Sequence, residues 1–203
     1  MDISMLYHAS ADIKNSIEMT IVAKAQAGDK DAFGQIFEHH HRFIYKFVYA
    51  MLGEHELAEE LTQETFLGAY KNINSLRGDA KLQTWLCGIA KNLVFKSFRN
   101  YRKEGQPSGA EVETLNLSDE KNPSPVEQFL SKELNQVIAI ALSKLNEDRR
   151  IVFILKEIQH LTYSEISEIT GNTIPKLKTD LHRAKIEMRA MLRPYMPNME
   201  AKK

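Results

Sequence analysis

Apolar residues recur at intervals of three and four along almost the whole chain, and that periodicity restricts it to a helical fold. Over Asp29–Leu52 the series is Phe33, Ile36, Phe37, Ile44, Phe47, Val48 and Met51, and Gly53 ends it. A second helix is predicted from about Glu56 to Ile73 on Leu57, Leu61, Phe66, Ala69 and Tyr70. Asn74–Asp79, with Gly78, reads as a loop. A third helix, about Leu82 to Tyr101, places Leu82, Trp85, Leu86, Ile89, Ala90, Leu93 and Val94 on one stripe. The pattern then breaks between Arg102 and Pro125, where Gly105, Pro107, Gly109, Pro123 and Pro125 stand among acidic residues without an apolar period. It resumes over Val126–Leu145 and Asp148–His160. The expected fold is all-α, two small helical domains joined by a flexible linker. The expected boundaries are a tail 1–22, a domain 23–103, an acidic linker 104–125, a domain 126–193 and a tail 194–203.

The last two helices form a helix-turn-helix. Thr162-Tyr-Ser-Glu165 has the spacing of a capping box, in which the hydroxyl and the carboxylate each satisfy one free backbone N–H. The short helix it opens carries Ile166 and Ile169 and stops near Gly171. Pro175 suits the first turn of the next helix, where an amide N–H would lack a partner anyway. There Ile174, Leu177, Leu181, Ala184 and Met188 are predicted to face inward. That leaves Lys176, Lys178, Thr179, His182 and Arg183 outward, an arrangement suited to the major groove of DNA. A plain helical hairpin with a solvated basic face has the same pattern.

Net charge is zero, which by itself argues against a nucleic-acid binder. The charges nevertheless fall in blocks. Glu54, Glu56, Glu59, Glu60 and Glu64 have no basic residue among them. Lys71, Arg77, Lys81, Lys91, Lys96, Arg99, Arg102 and Lys103 face only Asp79. Such alternation suits several partner surfaces on one chain, and equally suits helices with solvated charged faces. Cys87 is the only cysteine, so a disulfide within the chain or a cysteine-based zinc site is excluded. No apolar run reaches the ~18 residues of a membrane span. The first residues, MDISMLYHASADIKNS, lack the basic start and apolar core of a signal peptide, so a cytoplasmic location is expected without membrane insertion. His39, His40 and His41 lie ~100° apart around a helix and do not converge on one ion. No glycine-rich phosphate loop and no nucleophile with a partner base is present, so neither enzyme activity nor a cofactor is expected.

Two long stretches resemble one family. Residues 28–99 are similar to the second conserved region of extracytoplasmic-function (ECF) sigma factors, above all in GD..AF at Gly28–Phe33, AEELTQETF at Ala58–Phe66 and TWL.GIAKN at Thr84–Asn92. Residues 142–185 resemble the fourth region, and the linker falls where the family has one. The resemblance implies a subunit that directs core RNA polymerase to promoters and helps melt them. It also implies that Glu59, Glu60, Gln63 and Glu64 dock on the coiled coil of the polymerase's largest subunit, with a further contact to the flap. Arg77, Lys91, Asn92, Lys96 and Arg99 then meet the minus-ten element, with Asn92 matching the polar reader of a flipped base. Lys176, Lys178, Thr179, His182 and Arg183 meet the minus-thirty-five element. An anti-sigma factor is the expected regulatory partner.

The chain departs from the family pattern at several points. Asn146 stands where a proline is usual, Pro175-Lys176 replaces Gly-Thr, Asp180 sits where a base is common, and Lys96 occupies a position often held by Asp or Asn. Trp85 has two readings, a core residue on the Leu82–Ile89 stripe or a wedge at the edge of the melted DNA. Two other functions stay open at this level. One is a dimeric operator-binding regulator; the other is an interaction protein that keeps the fold without promoter recognition.

Overall fold

The computed structural model describes residues 17–76, 81–103 and 125–195, with only the helical backbone described over 125–133. Among these residues no strand occurs. The predicted linker, Arg77, and most of both predicted tails lie outside them.

Helix α1 (17–26) precedes α2 (Lys30–Leu52), α3 (His55–Asn72) and α4 (Leu82–Lys103). Each terminus has a local cause. The Asp29 carboxylate accepts from the amides of Asp31 and Ala32 at 2.9 and 3.1 Å and so starts α2. Gly53 ends it in the left-handed conformation, φ 79°, which a residue without Cβ adopts freely. A 3₁₀ turn, Ile73–Ser75, closes α3. Residues 17–22 fall within the expected tail 1–22, yet they form the first turns of α1, and Ile21 and Val22 pack against the core. The Gln26 amide also donates to the Ile73 and Leu76 carbonyls at 3.0 and 3.1 Å, tying α1 to the end of α3.

The second group of helices is α5 (Pro125–Lys144), α6 (Glu147–Phe153), α7 (Tyr163–Thr170) and α8 (Ile174–Leu192). Asn146 is the N-cap of α6, accepting from the Arg149 amide at 2.9 Å. It caps a free amide, a different device from a proline, which starts a helix by lacking an N–H. Sequence periodicity predicted one continuous helix from Asp148 to His160. Instead, α6 passes into a wider π-helical turn at Ile154–Ile158, and His160 takes a positive φ of 58°. The wider turn lets Ile154, Leu155 and Leu161 all enter the interior. Lys156 Nζ covers the freed Leu161 carbonyl at 2.9 Å.

Buried side chains of both groups form one continuous cluster, from Ala25 in α1 to Met188 in α8. Phe47, Ile44, Met51 and Leu86 from the first group, and Leu142, Ile151, Leu155 and Leu177 from the second, are among its largest fully buried members. Burying each such side chain contributes about 1.5–3 kcal/mol. The join falls on α4, which packs against α2 and α3 on one side and α7 on the other. It also falls on the last turn of α2, where Tyr49, Ala50, Met51 and Leu52 are all buried because α5 and α6 close over it.

Candidate interfaces for polymerase and nucleic acid

The acidic helix is two-sided. Ala58, Leu61, Thr62, Thr65, Phe66 and Ala69 of α3 are buried, and Glu59, Glu60, Gln63 and Glu64 are exposed. Thr62 and Thr65 are tolerated in the core because their hydroxyls donate back to the Ala58 and Leu61 carbonyls at 2.6 and 2.7 Å. One turn beyond the carboxylates, Leu67 is 59% exposed and Tyr70 45%. Phe33 meets Tyr70 edge-on, with ring centroids 5.0 Å apart. The outer face of α3 is thus an acidic strip ending in an apolar step. Leu67 was missed by the sequence reading because it breaks the buried stripe and so reads as an incidental surface residue.

On α4, Asn92, Lys96 and Arg99 are exposed at i, i+4 and i+7 and share a face, while Lys91 is half-buried. Lys91 and Asn92 line an open pocket of about 550 Å³ with Thr84 and Trp85, and Glu168 of α7 stands on the opposite wall. Trp85 is half-buried, with one part against the core and another in this pocket, so its two sequence readings describe the same side chain.

The helix-turn-helix has its predicted boundaries. The Thr162 hydroxyl accepts from the Glu165 amide at 3.3 Å, and Glu165 Oε2 accepts from the Thr162 amide at 2.7 Å. Gly171 (φ 72°) ends α7, and Pro175 lies in the first turn of α8. Leu177, Leu181, Ala184 and Met188 are buried, whereas Ile174 is 40% exposed. Lys176, Lys178, Thr179, His182 and Arg183 are all exposed. Their surroundings differ. Lys176 Nζ donates to Asp180 Oδ2 at 2.8 Å and Asp148 Oδ2 at 3.2 Å, and these bonds hold its pKa above the ordinary lysine value. Asp180, the acid expected to repel phosphate, is thus turned aside and neutralised at the expense of one predicted DNA-binding lysine. Lys178 lies 5.7 Å from the Tyr163 ring, a cation–π contact that steadies it on the outer face. Thr179 spends its hydroxyl proton on the Pro175 carbonyl at 3.0 Å and keeps its acceptor lone pairs.

The three neighbouring histidines go to separate partners. His39 Nδ1 meets the Gln35 carbonyl at 2.8 Å, His40 Nε2 meets Glu18 at 3.0 Å, and His41 packs on Phe37. No helix among the described residues is long and apolar enough to cross a membrane.

Residues 36–104 match the model of sigma-70 region 2, and residues 136–188 match that of sigma-70 region 4. The chain is 34% identical over 179 residues to the ECF RNA polymerase sigma factor SigW of Bacillus subtilis, spanning 85% of this chain and 95% of that one. This chain belongs to the ECF RNA polymerase sigma factors. Another relative, the sigma factor YlaC of the same bacterium, is 30% identical over 79% of this chain and 91% of its own. The sigma-E factor of Escherichia coli is 26% identical over 83% and 90%. Two solved structures share the fold of this ECF sigma factor. One is CnrH in complex with the cytosolic domain of CnrY, with TM-score 0.67 and 18% identity, covering 87% of this chain and 97% of that one. The other is the sigma factor RpoE in complex with the anti-sigma factor NepR from Bartonella quintana, with TM-score 0.64 and 22% identity, covering 81% and 98%. As an ECF sigma factor the chain acts in transcription initiation, in a family of transcription regulators rather than enzymes.

Proposed function

We propose that this ECF sigma factor docks on core RNA polymerase through α3 and then reads two promoter elements with two different helices. Glu59, Glu60, Gln63 and Glu64 meet the coiled coil of the largest subunit, where an acidic strip facing a basic partner raises on-rate and fixes register. Leu67 adds the apolar anchor that such charge pairing lacks. Asn92 and Lys91, on the pocket beside Trp85, receive the unstacked minus-ten strand, and Lys96 and Arg99 follow its backbone. Arg77, outside the described residues, is proposed to contact the same element. Lys178, Thr179, His182 and Arg183 enter the minus-thirty-five major groove, with Lys176 at its edge.

The observation that carries this reading is the simultaneous exposure of three chemically distinct faces: acidic and apolar on α3, amide and basic on α4, basic and hydroxyl on α8. A regulator that only binds an operator has no use for the first two. The proposed working division is 23–103 and 126–193, joined by 104–125 and flanked by tails 1–22 and 194–203. Chromosome and polymerase place its action in the cytoplasm. An anti-sigma factor is its proposed regulator, in keeping with the bound partner of the RpoE structure.

The test is transcription from a genomic DNA pool by purified host core polymerase, with and without the protein, mapping every new RNA start. Starts that appear only with the protein, and share two motifs at fixed spacing upstream, are expected. If core proven active with another sigma gives no new starts, the promoter reading fails, and binding to core or to isolated operators decides what replaces it.

A further inference from the structure

The pocket between α4 and α7 has the size and the mixed chemistry of a small-molecule site. Its volume of about 550 Å³ lies within the ~300–1,000 Å³ that such sites span. Trp85, Gly88 and Asn92 recur at helical spacing and so share the face of α4 that lines it. A glycine inside a helix weakens it, so its presence needs a reason. No heavy atom lies within 4 Å of where a Gly88 Cβ would stand, and the helix backbone is therefore open to a flat ring beside the indole. Ile89 and Ile169 make the pocket apolar at its base, because both belong to the core or pack on it.

Three polar groups converge on this apolar floor. Among the described residues, the Lys91 ammonium and the Asn92 amide enter no hydrogen bond or ion pair. Glu168 forms no ion pair either, since the nearby Lys81 ammonium is bonded to Glu165 instead. An indole offers a stacking surface to any base. An ammonium is a point-charge ligand for phosphate. An asparagine amide matches the N6 and N7 edge of adenine, and a carboxylate, which only accepts, suits the second proton of that amino group. A zwitterionic aromatic amino acid could also bridge Lys91 and Glu168, but it leaves Asn92 and much of the volume unused.

We propose that this pocket binds a free adenine nucleotide, with the base on Trp85, its amino group between Asn92 and Glu168, and its phosphate at Lys91. The indole, amide and ammonium are also those assigned above to the unstacked promoter strand, so nucleotide and strand exclude each other. That exclusion rests on the promoter reading; the nucleotide site does not.

Trp85 is the chain's one tryptophan, so its fluorescence reports on this pocket in the full chain. Excited at the red edge of the indole band, where AMP does not absorb, it is expected to be quenched saturably by AMP without DNA or polymerase present. Adenosine lacks the phosphate and UMP lacks the amino edge. Each is expected to bind about tenfold more weakly, as the loss of a hydrogen bond to a charged group implies. Lys91→Ala should erase the advantage of AMP over adenosine. Glu168→Gln, whose amide can also donate, should erase its advantage over UMP. Both side chains reach solvent, so neither change threatens the core. Absence of saturable quenching by AMP overturns the proposal, as does equal quenching by adenosine and UMP or by phenylalanine. AMP binding that is unchanged in both variants overturns it as well. Failure of the promoter reading is read separately, in the transcription assay.

Discussion

Lys176 donates to Asp180 across one turn of α8, at 2.8 Å, and a second bond to Asp148 at 3.2 Å pulls it further from the outer face. A lysine tied this way is a weaker phosphate ligand than Lys178 or Arg183 beside it. Asp180→Asn removes the stronger of its two attachments and a negative charge together. Tighter binding of holoenzyme to upstream promoter DNA is expected, with the salt dependence steepened by about one phosphate contact. Anisotropy titrations across a salt series read both effects. An unchanged slope would mean that Lys176 does not reach the backbone.

Lys178→Ala with Arg183→Ala is expected to abolish protection of the upstream element while leaving core binding intact, at about 1–3 kcal/mol per lost contact. Footprinting of the holoenzyme and a separate core-affinity measurement distinguish the two. Equal loss of both would mark α8 as a structural helix.

For the polymerase face, Gln63→Ala with Glu64→Ala is expected to weaken core binding about tenfold, chiefly through slower association at low salt. Leu67→Ala should cost about 1 kcal/mol more through faster dissociation, as an apolar anchor does. Surface-immobilised core and stopped-flow association separate these rates. Unaltered affinity in the double variant would move the docking site off α3.

Cys87 is fully enclosed on α4, and burial pushes its thiol up to about 12. Only the thiolate reacts readily, so the folded chain should resist maleimide at neutral pH. Modification is expected to follow the denaturant unfolding curve. Rapid labelling under native conditions would show that α4 opens locally.

Glu165 joins two contacts, the capping box with Thr162 and the bridge to Lys81. Burial acts to raise its pKa, but hydrogen bonds from Lys81 and Thr162 and the lysine charge outweigh burial and hold it below the usual carboxylate range. A carboxyl depressed in the folded state contributes stability above its ordinary pKa and loses it as pH falls through the folded value. Thermal melts between about pH 7 and about pH 3 should therefore show wild type more stable than Glu165→Gln at neutral pH, with the gap closing on acidification. A constant gap would assign the difference to shape rather than charge.

Much of this molecule could be read one helix at a time. Asp29, Gly53, Thr162, Glu165, Gly171 and Pro175 act on amides within a turn of themselves, and apolar spacing reports which face of a helix is covered. For the same reason Glu59, Glu60, Gln63 and Glu64, and the outward residues of α8, were legible as exposed faces. Contacts between distant segments leave no such trace. Lys176 looked like any outward lysine until α6 brought Asp148 beside α8. Leu67 looked incidental because its interest lies in being uncovered.

Arg149 and Arg150 show the division most sharply. The sequence presents them as identical neighbours in one charged run, yet Arg149 pairs with Glu187 in a partly exposed bridge while Arg150 is buried against Met51, ninety-nine positions earlier in the chain. By itself the sequence determined most of the helices, most of their ends and their exposed chemistry, α1 and the end of α6 apart, since those follow from hydrogen bonds and periodicity among near neighbours. Only the tertiary structure decided that two helical groups share one core, that a π-turn follows α6, and that α7 packs along α4 beside the Trp85 pocket. Each depends on which surfaces exclude water together, and that is settled by distance in space rather than along the chain.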